Sequence, residues 1–189
     1  MLSFLRIFGV TVAAVWFGSA IFFTFFVGPA FFSKAMTDVF RPPYNGMVAE
    51  LVIGRYFILH YICGFLALAH IVAEWIYSGK IVPRATLWLV GSVLVISLIG
   101  GLVIQPRLQR LHQVKYAEHY RDGRGNPMAS TATERESAAK SFGTLHGVSQ
   151  GMNLVMLLAL WLYLARAINT GEPARFVSPI NKFGLDKLR

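Results

Sequence analysis

Four long apolar blocks, separated by short polar stretches, set the pattern of this chain. They run from about Ile7 to Phe32, Met47 to Tyr77, Leu87 to Ile104 and Phe142 to Leu164. Each approaches or exceeds the roughly 20 apolar residues a helix needs to cross a bilayer. Their apolar residues cluster instead of alternating, which predicts helices and not strands. The expected fold is an all-α integral membrane protein: a four-transmembrane-helix bundle over residues 1–168, with helices three and four extended beyond the bilayer.

Polar positions inside the blocks recur at helical spacing. In the fourth block His146, Ser149, Gln150 and Asn153 fall on one side of a helix turning by about 100° per residue. Such a side in an apolar span must face protein or water, because lipid offers polar groups no partners. Gly143, Gly147 and Gly151 run beside it as a seam where another helix can approach closely. In the second block Tyr56, His60, Cys63, His70 and Glu74 share an arc of roughly 80° with Ala67. Glu50 and Arg55 lie off that arc, near the membrane edge, where long side chains snorkel.

Breakers divide the chain. Gly28-Pro29 predicts a kink or helix end near Phe25–Gly28, since proline removes a donor and crowds the preceding turn. Arg41-Pro42-Pro43 reads as a turn before helix two, and Gly79 and Pro83 mark the link to helix three. Pro106 interrupts the third apolar run, yet Arg107 to Tyr120 has helix-forming composition, so helix three should continue out of the membrane. Asp122-Gly123-Arg124-Gly125-Asn126-Pro127 is a strong breaker. Thr133 and Glu136 have capping-box spacing, which starts helix four near Glu134 and makes helices three and four a projecting hairpin. Residues 169–189, with Gly171, Pro173, Pro179 and Gly184, read as a loose polar tail. The first block is too long for a signal-peptide core and lacks an Ala-x-Ala-like site after it, so it reads as a retained span.

Composition agrees with the membrane reading. Hydrophobic residues make up 55% and charged residues 14% of the chain, against about a quarter charged in soluble domains. The net charge of +9 sits in loops and tails, which points to anionic headgroups and topology and not to nucleic acid. Basic residues lie on both sides of the predicted spans, so charge does not orient the protein. Cys63 is the only cysteine, which excludes an intramolecular disulfide.

The polar cluster admits three readings. It can be a packed seam, with His60 and Cys63 inside the bundle and His146 in an interhelical hydrogen bond. It can be a ligand set, in which His60, His70 and His146 hold haem iron or another metal ion, with help from Cys63 or Glu74. It can line a path for a small solute or protons. No Cys-x-x-Cys-His motif is present, so any haem would be non-covalent. His112 and His119, seven residues apart, read as a solvated face of the extension. The chain offers no phosphate-binding loop, zincin motif or nucleophile elbow, so it reads as non-enzymatic, with no bound cofactor required. Its expected partners are the lipid bilayer and a second copy or another membrane protein, met through helix–helix association in the plasma or inner membrane.

Four segments in order resemble the TMEM205-like membrane proteins, a domain of unknown function. They are Phe25-Phe26-Val27-Gly28-Pro29-Ala30-Phe31-Phe32, Gly54-Arg55-Tyr56-Phe57, Gln105-Pro106-Arg107, and His146-Gly147-Val148-Ser149-Gln150-Gly151-Met152-Asn153-Leu154. The resemblance covers nearly the whole chain, and the last segment is its most specific part. Members of that family often carry an acidic residue where Gln105 stands. The resemblance implies a four-span membrane protein and supplies no reaction and no ligand residue.

Overall fold

The structure, a computed structural model, describes residues 2–79 and 81–169; the expected tail lies outside the described residues from 170 onward. The first span is α1 (Leu2–Phe22), a π-turn (Phe23–Val27) and the short α2 (Gly28–Phe31). A one-and-a-half-turn helix, α3 (Lys34–Val39), leads to α4 (Tyr44–Ser78), the second span. The third span is α5 (Arg84–Ile99), a second π-turn (Gly100–Ile104) and α6 (Gln105–Lys115). After a 3-10 turn, α7 (Ala132–Asn169) forms the fourth. Four helical segments are long and apolar enough to cross a membrane, and the chain is a multi-pass membrane protein. At 38 residues α7 is about 57 Å long, well beyond the ~30 Å hydrocarbon core. It therefore projects into water, with α6 packed along its projecting end.

The spans form a ring in chain order. α1 packs along α4 and α7, and α5 packs along the same two. The inward residues recur at helical spacing: Val12, Ala13, Trp16 and Ala20 on α1; Cys63, Ala67 and Ile71 on α4; Val90 and Val93 on α5; Met156, Leu157, Leu160 and Tyr163 on α7. The outward faces carry Phe22, Phe26, Ile62, Phe65, Trp88 and Leu158, all exposed, as a lipid-facing surface requires. Small residues set the spacing between spans. A Cβ added at Gly64 would meet Leu94, and one at Gly101 would meet the Phe57 ring and the Tyr61 hydroxyl.

Both intramembrane prolines follow the same construction. In a straight α-helix Pro29 would lack its bond to Phe25 and its ring would strike that carbonyl. The π-turn answers this by letting the Gly28 N–H reach back five residues to Phe23. Pro106 repeats it, with the Gln105 N–H bonded to the Gly100 carbonyl. The expected kink at Gly28-Pro29 is thus a π-turn beginning at Phe23.

Helix ends differ from expectation at two places: α6 stops at Lys115, short of Tyr120, and the start of α7 is capped earlier. The capping box uses Thr131 and Glu134, two residues earlier than the Thr133–Glu136 pair. Thr131 N–H donates to Glu134 Oε2 at 2.7 Å, and Glu134 N–H donates to Thr131 Oγ1 at 3.2 Å. The loop decides between two equally spaced pairs: Met128 N–H bonds the Tyr120 carbonyl at 3.0 Å, so the chain is delivered to α7 early. At the other end of the molecule α4 stops at Gly79, whose φ of 64° suits glycine and whose N–H caps the Trp75 carbonyl.

A candidate intramembrane cavity

At the end of the bundle that carries the extension, the helices separate into two pairs. α2 packs on α4, and α6 packs on α7. Between the pairs lies a cavity of about 660 Å³. This falls within the ~300–1,000 Å³ of small-molecule sites. Residues of both π-turns line it, Phe23 and Thr24 on one side and Gly100 and Ile104 on the other. The proline-driven turns therefore lie at the level where the walls diverge.

The floor is a hydrogen-bond chain joining three spans. Tyr56 Oη donates to Asn153 Oδ1 at 3.0 Å, Asn153 Nδ2 donates to Thr24 Oγ1 at 2.7 Å, and Thr24 Oγ1 donates to the Ala20 carbonyl at 2.7 Å. The Tyr56 ring stacks on Phe23 with centroids 4.0 Å apart. Every polar atom in the chain thus has a partner on another helix or in the preceding turn, as low-dielectric surroundings demand. Asn153→Leu removes the middle link and is expected to cost about 0.6–2 kcal/mol, read as a lower unfolding midpoint in detergent.

The rim is polar and half in the extension. Glu50 Oε1 lies 3.2 Å from His112 Nδ1, which also lies 2.8 Å from Tyr120 Oη. Burial first, then the Glu50 carboxylate, pushes the Tyr120 phenol up to about 12, and its neutral hydroxyl shares the one Nδ1 with Glu50. Gly46 leaves room for the imidazole, since a Cβ there would meet His112 Nε2. His112 is buried, which corrects its reading as a solvated residue. Glu50, half-buried, faces His112 across the rim. Lys115 Nζ sits 4.9 Å from the Tyr116 ring and 5.7 Å from the Phe142 ring. His146 stacks on the other side of the cluster against Phe142, and its Nε2 lies 3.2 Å from Gln150 Nε2.

Of the expected polar residues, Tyr56, His146, Ser149, Gln150 and Asn153 line the cavity. The remaining four on α4 do not, because the helix carries them away from it. His60, one turn below Tyr56, is fully buried and accepts a 2.6 Å hydrogen bond at Nδ1 from the Trp16 indole. A neutral ring that accepts at Nδ1 carries its proton at Nε2 and has no lone pair left for a metal. Cys63 is buried in the apolar core. His70, ten residues and about 15 Å further along α4, packs against Phe8 and Gly9. Glu74 is exposed near the opposite end. His60, His70 and His146 are therefore dispersed along the bundle and not gathered. Among the described residues no three His, Cys, Asp or Glu side chains come together as a metal set. The glycine seam faces outward: a Cβ at Gly143, Gly147 or Gly151 would meet nothing within 4 Å. It is not a packing surface inside the bundle.

Residues missed in the sequence are Glu50, His112, Gln105, Gln109 and Lys115, all on the cavity wall. Their helix positions were readable, but the pairing of α6 with α7 across from α4 was not. Gly147-Val148-Ser149-Gln150-Gly151 also spells Gly-x-Ser-x-Gly, the pattern of a nucleophile elbow. That motif needs a sharp strand-to-helix turn, and these residues lie in the middle of continuous α7.

A family model described as a domain of unknown function, DUF4149, matches residues 11–117. The match takes in the first three spans and most of the cavity wall, and ends before α7. No curated protein and no solved structure matches the chain.

Proposed function

We propose, from the premise that this chain belongs to the DUF4149 family, a domain of unknown function, that it is a non-enzymatic membrane protein that holds a small organic solute in its cleft. The observation that carries this reading is the cavity of about 660 Å³, with a polar rim and an aromatic, hydrogen-bonded floor. Its volume equals that of about 20 liquid water molecules, more than a bare ion or a proton relay requires. Ser149→Trp places a large ring in this space. The full chain purified from native membranes is expected to carry a bound small molecule in native mass spectrometry, and Ser149→Trp to have lost it. Equal occupancy in both, or none in the unsubstituted chain, would remove the reading.

A second reading, helix–helix association, has its own observation. Gly143, Gly147 and Gly151 present an open stripe on α7, the kind of surface at which two membrane helices approach closely. Crosslinking in native membranes should then give a dimer band that Gly147→Val abolishes. A monomer band in both would end this reading and leave the cavity untouched.

A further inference from the structure

The cavity is closed on one side and open on the other. Between α4 and α6 the Glu50–His112 pair and the close approach of Gly46 to His112 shut the wall. Gly54 faces Gln105 there, and Gly100 faces Phe57. Between α2 and α7 the arrangement is different. The π-turn at Phe23–Val27 and Pro29 lead α2 onto α4, while the Asn153–Thr24 bond ties the first and fourth spans below. The lining then continues outward onto Pro29, Phe32 and Leu154. Phe32, directly after the first apolar span, is 59% exposed, and Leu154, within the fourth, is 55% exposed. The slot between α2 and α7 is therefore edged by exposed apolar side chains.

The lip of this slot is polar. His146 and Gln150, hydrogen-bonding to each other, stand on α7 at the rim. Glu50 is engaged by His112, whereas among the described residues Lys115 has no carboxylate within ion-pair distance. Its ammonium is held over two aromatic rings at the cavity edge. The Lys115 ammonium at the rim is thus free of a carboxylate partner among the described residues, and the surface beneath it is Phe23, Phe31, Tyr56 and Phe57. A cation above an aromatic, apolar floor suits a molecule with an acidic head and one hydrocarbon chain.

We propose that the cleft takes a single-chain acidic amphiphile, drawn sideways from the bilayer through the α2–α7 slot, with its head at Lys115 and its chain over the aromatic floor. This rests on the cavity reading above and names its ligand class. The proton of the acid stays in water, and no covalent step is involved.

The test uses the full chain in nanodiscs and cis-parinaric acid, a fluorescent single-chain carboxylate. Saturable binding is expected, displaced by oleate and not by oleyl alcohol. Lys115→Gln is expected to raise the apparent Kd about tenfold, a loss of about 1.4 kcal/mol, with the thermal midpoint unchanged. Lys140→Gln, on an exposed face of α7 away from the cavity, should leave it unchanged. Equal displacement by acid and alcohol would overturn the head-group assignment. Displacement by a short water-soluble carboxylate as effective as oleate would overturn lateral admission. Absence of saturable binding in a chain whose native mass spectrum shows another bound solute would overturn the ligand class and leave the cavity reading standing.

Discussion

Trp16→Ala is expected to destabilise the bundle by about 3–5 kcal/mol, the range for emptying a buried indole site. The ring is fully buried where α1, α4 and α7 meet, touching Tyr163 edge-on at 6.4 Å and bonding His60 Nδ1 at 2.6 Å. Two losses add: the packing of a large ring, and the only hydrogen bond described for the His60 side chain. Trp16→Phe separates them. It keeps most of the packing and removes the donor, and about 0.6–2 kcal/mol is expected. Unfolding midpoints of the three proteins in one detergent give both numbers. If Trp16→Phe cost as much as Trp16→Ala, the hydrogen bond and not the ring would be the anchor. If neither mattered, His60 would be held by something other than Trp16.

Gly101→Val is expected to cost about 1–3 kcal/mol, the range for overpacking a tight interface. Gly101 sits in the second π-turn, and a Cβ there would meet Tyr61 Oη and the inner ring atoms of Phe57. A ring fixed at its base cannot swing aside as the end of a leucine can, so α4 and α5 must part. The cavity wall would part with them, because Phe57 and Gly100 both line it. Gly147→Val is the control. It faces open space, and a change within about 0.5 kcal/mol is expected for the monomer. Equal effects at the two positions would mean that the glycine stripe of α7 is packed after all.

The α7 stripe and the α4 arc show how far helical periodicity reaches. Spacing placed His146, Ser149, Gln150 and Asn153 on one side of α7, and three of those four are at least partly buried in the cavity wall. The same reasoning placed Tyr56, His60, Cys63, His70 and Glu74 on one arc, and they serve in different surroundings: cavity floor, Trp16 contact, apolar core, Gly9 contact and exposed end. An arc is a direction and not a place, since five residues over eighteen positions cover about 27 Å of helix axis. Glycine spacing failed in a related way. Gly143, Gly147 and Gly151 have the pattern of a close approach, while the glycines that meet neighbours tightly, Gly9, Gly46, Gly64 and Gly101, have no such pattern. A seam needs a partner, and the partner is set by how the helices are arranged around one another.

Local chemistry determined the helices, their apolar character and their breaks. Block length, clustered hydrophobicity and the positions of Pro29, Pro106, Gly79 and the 122–127 breaker needed no tertiary information. They act through backbone donors, ring sterics and solvation, all within a turn or two of chain. The cavity arose only from the packing. Glu50 and His112, far apart in sequence on α4 and α6, meet at 3.2 Å across one side of the cavity. Pairing of helices depends on the fit of whole surfaces, which one-dimensional spacing does not contain. The sequence by itself thus determined a four-span membrane protein with polar faces; the tertiary structure alone decided which of those faces surround a common space.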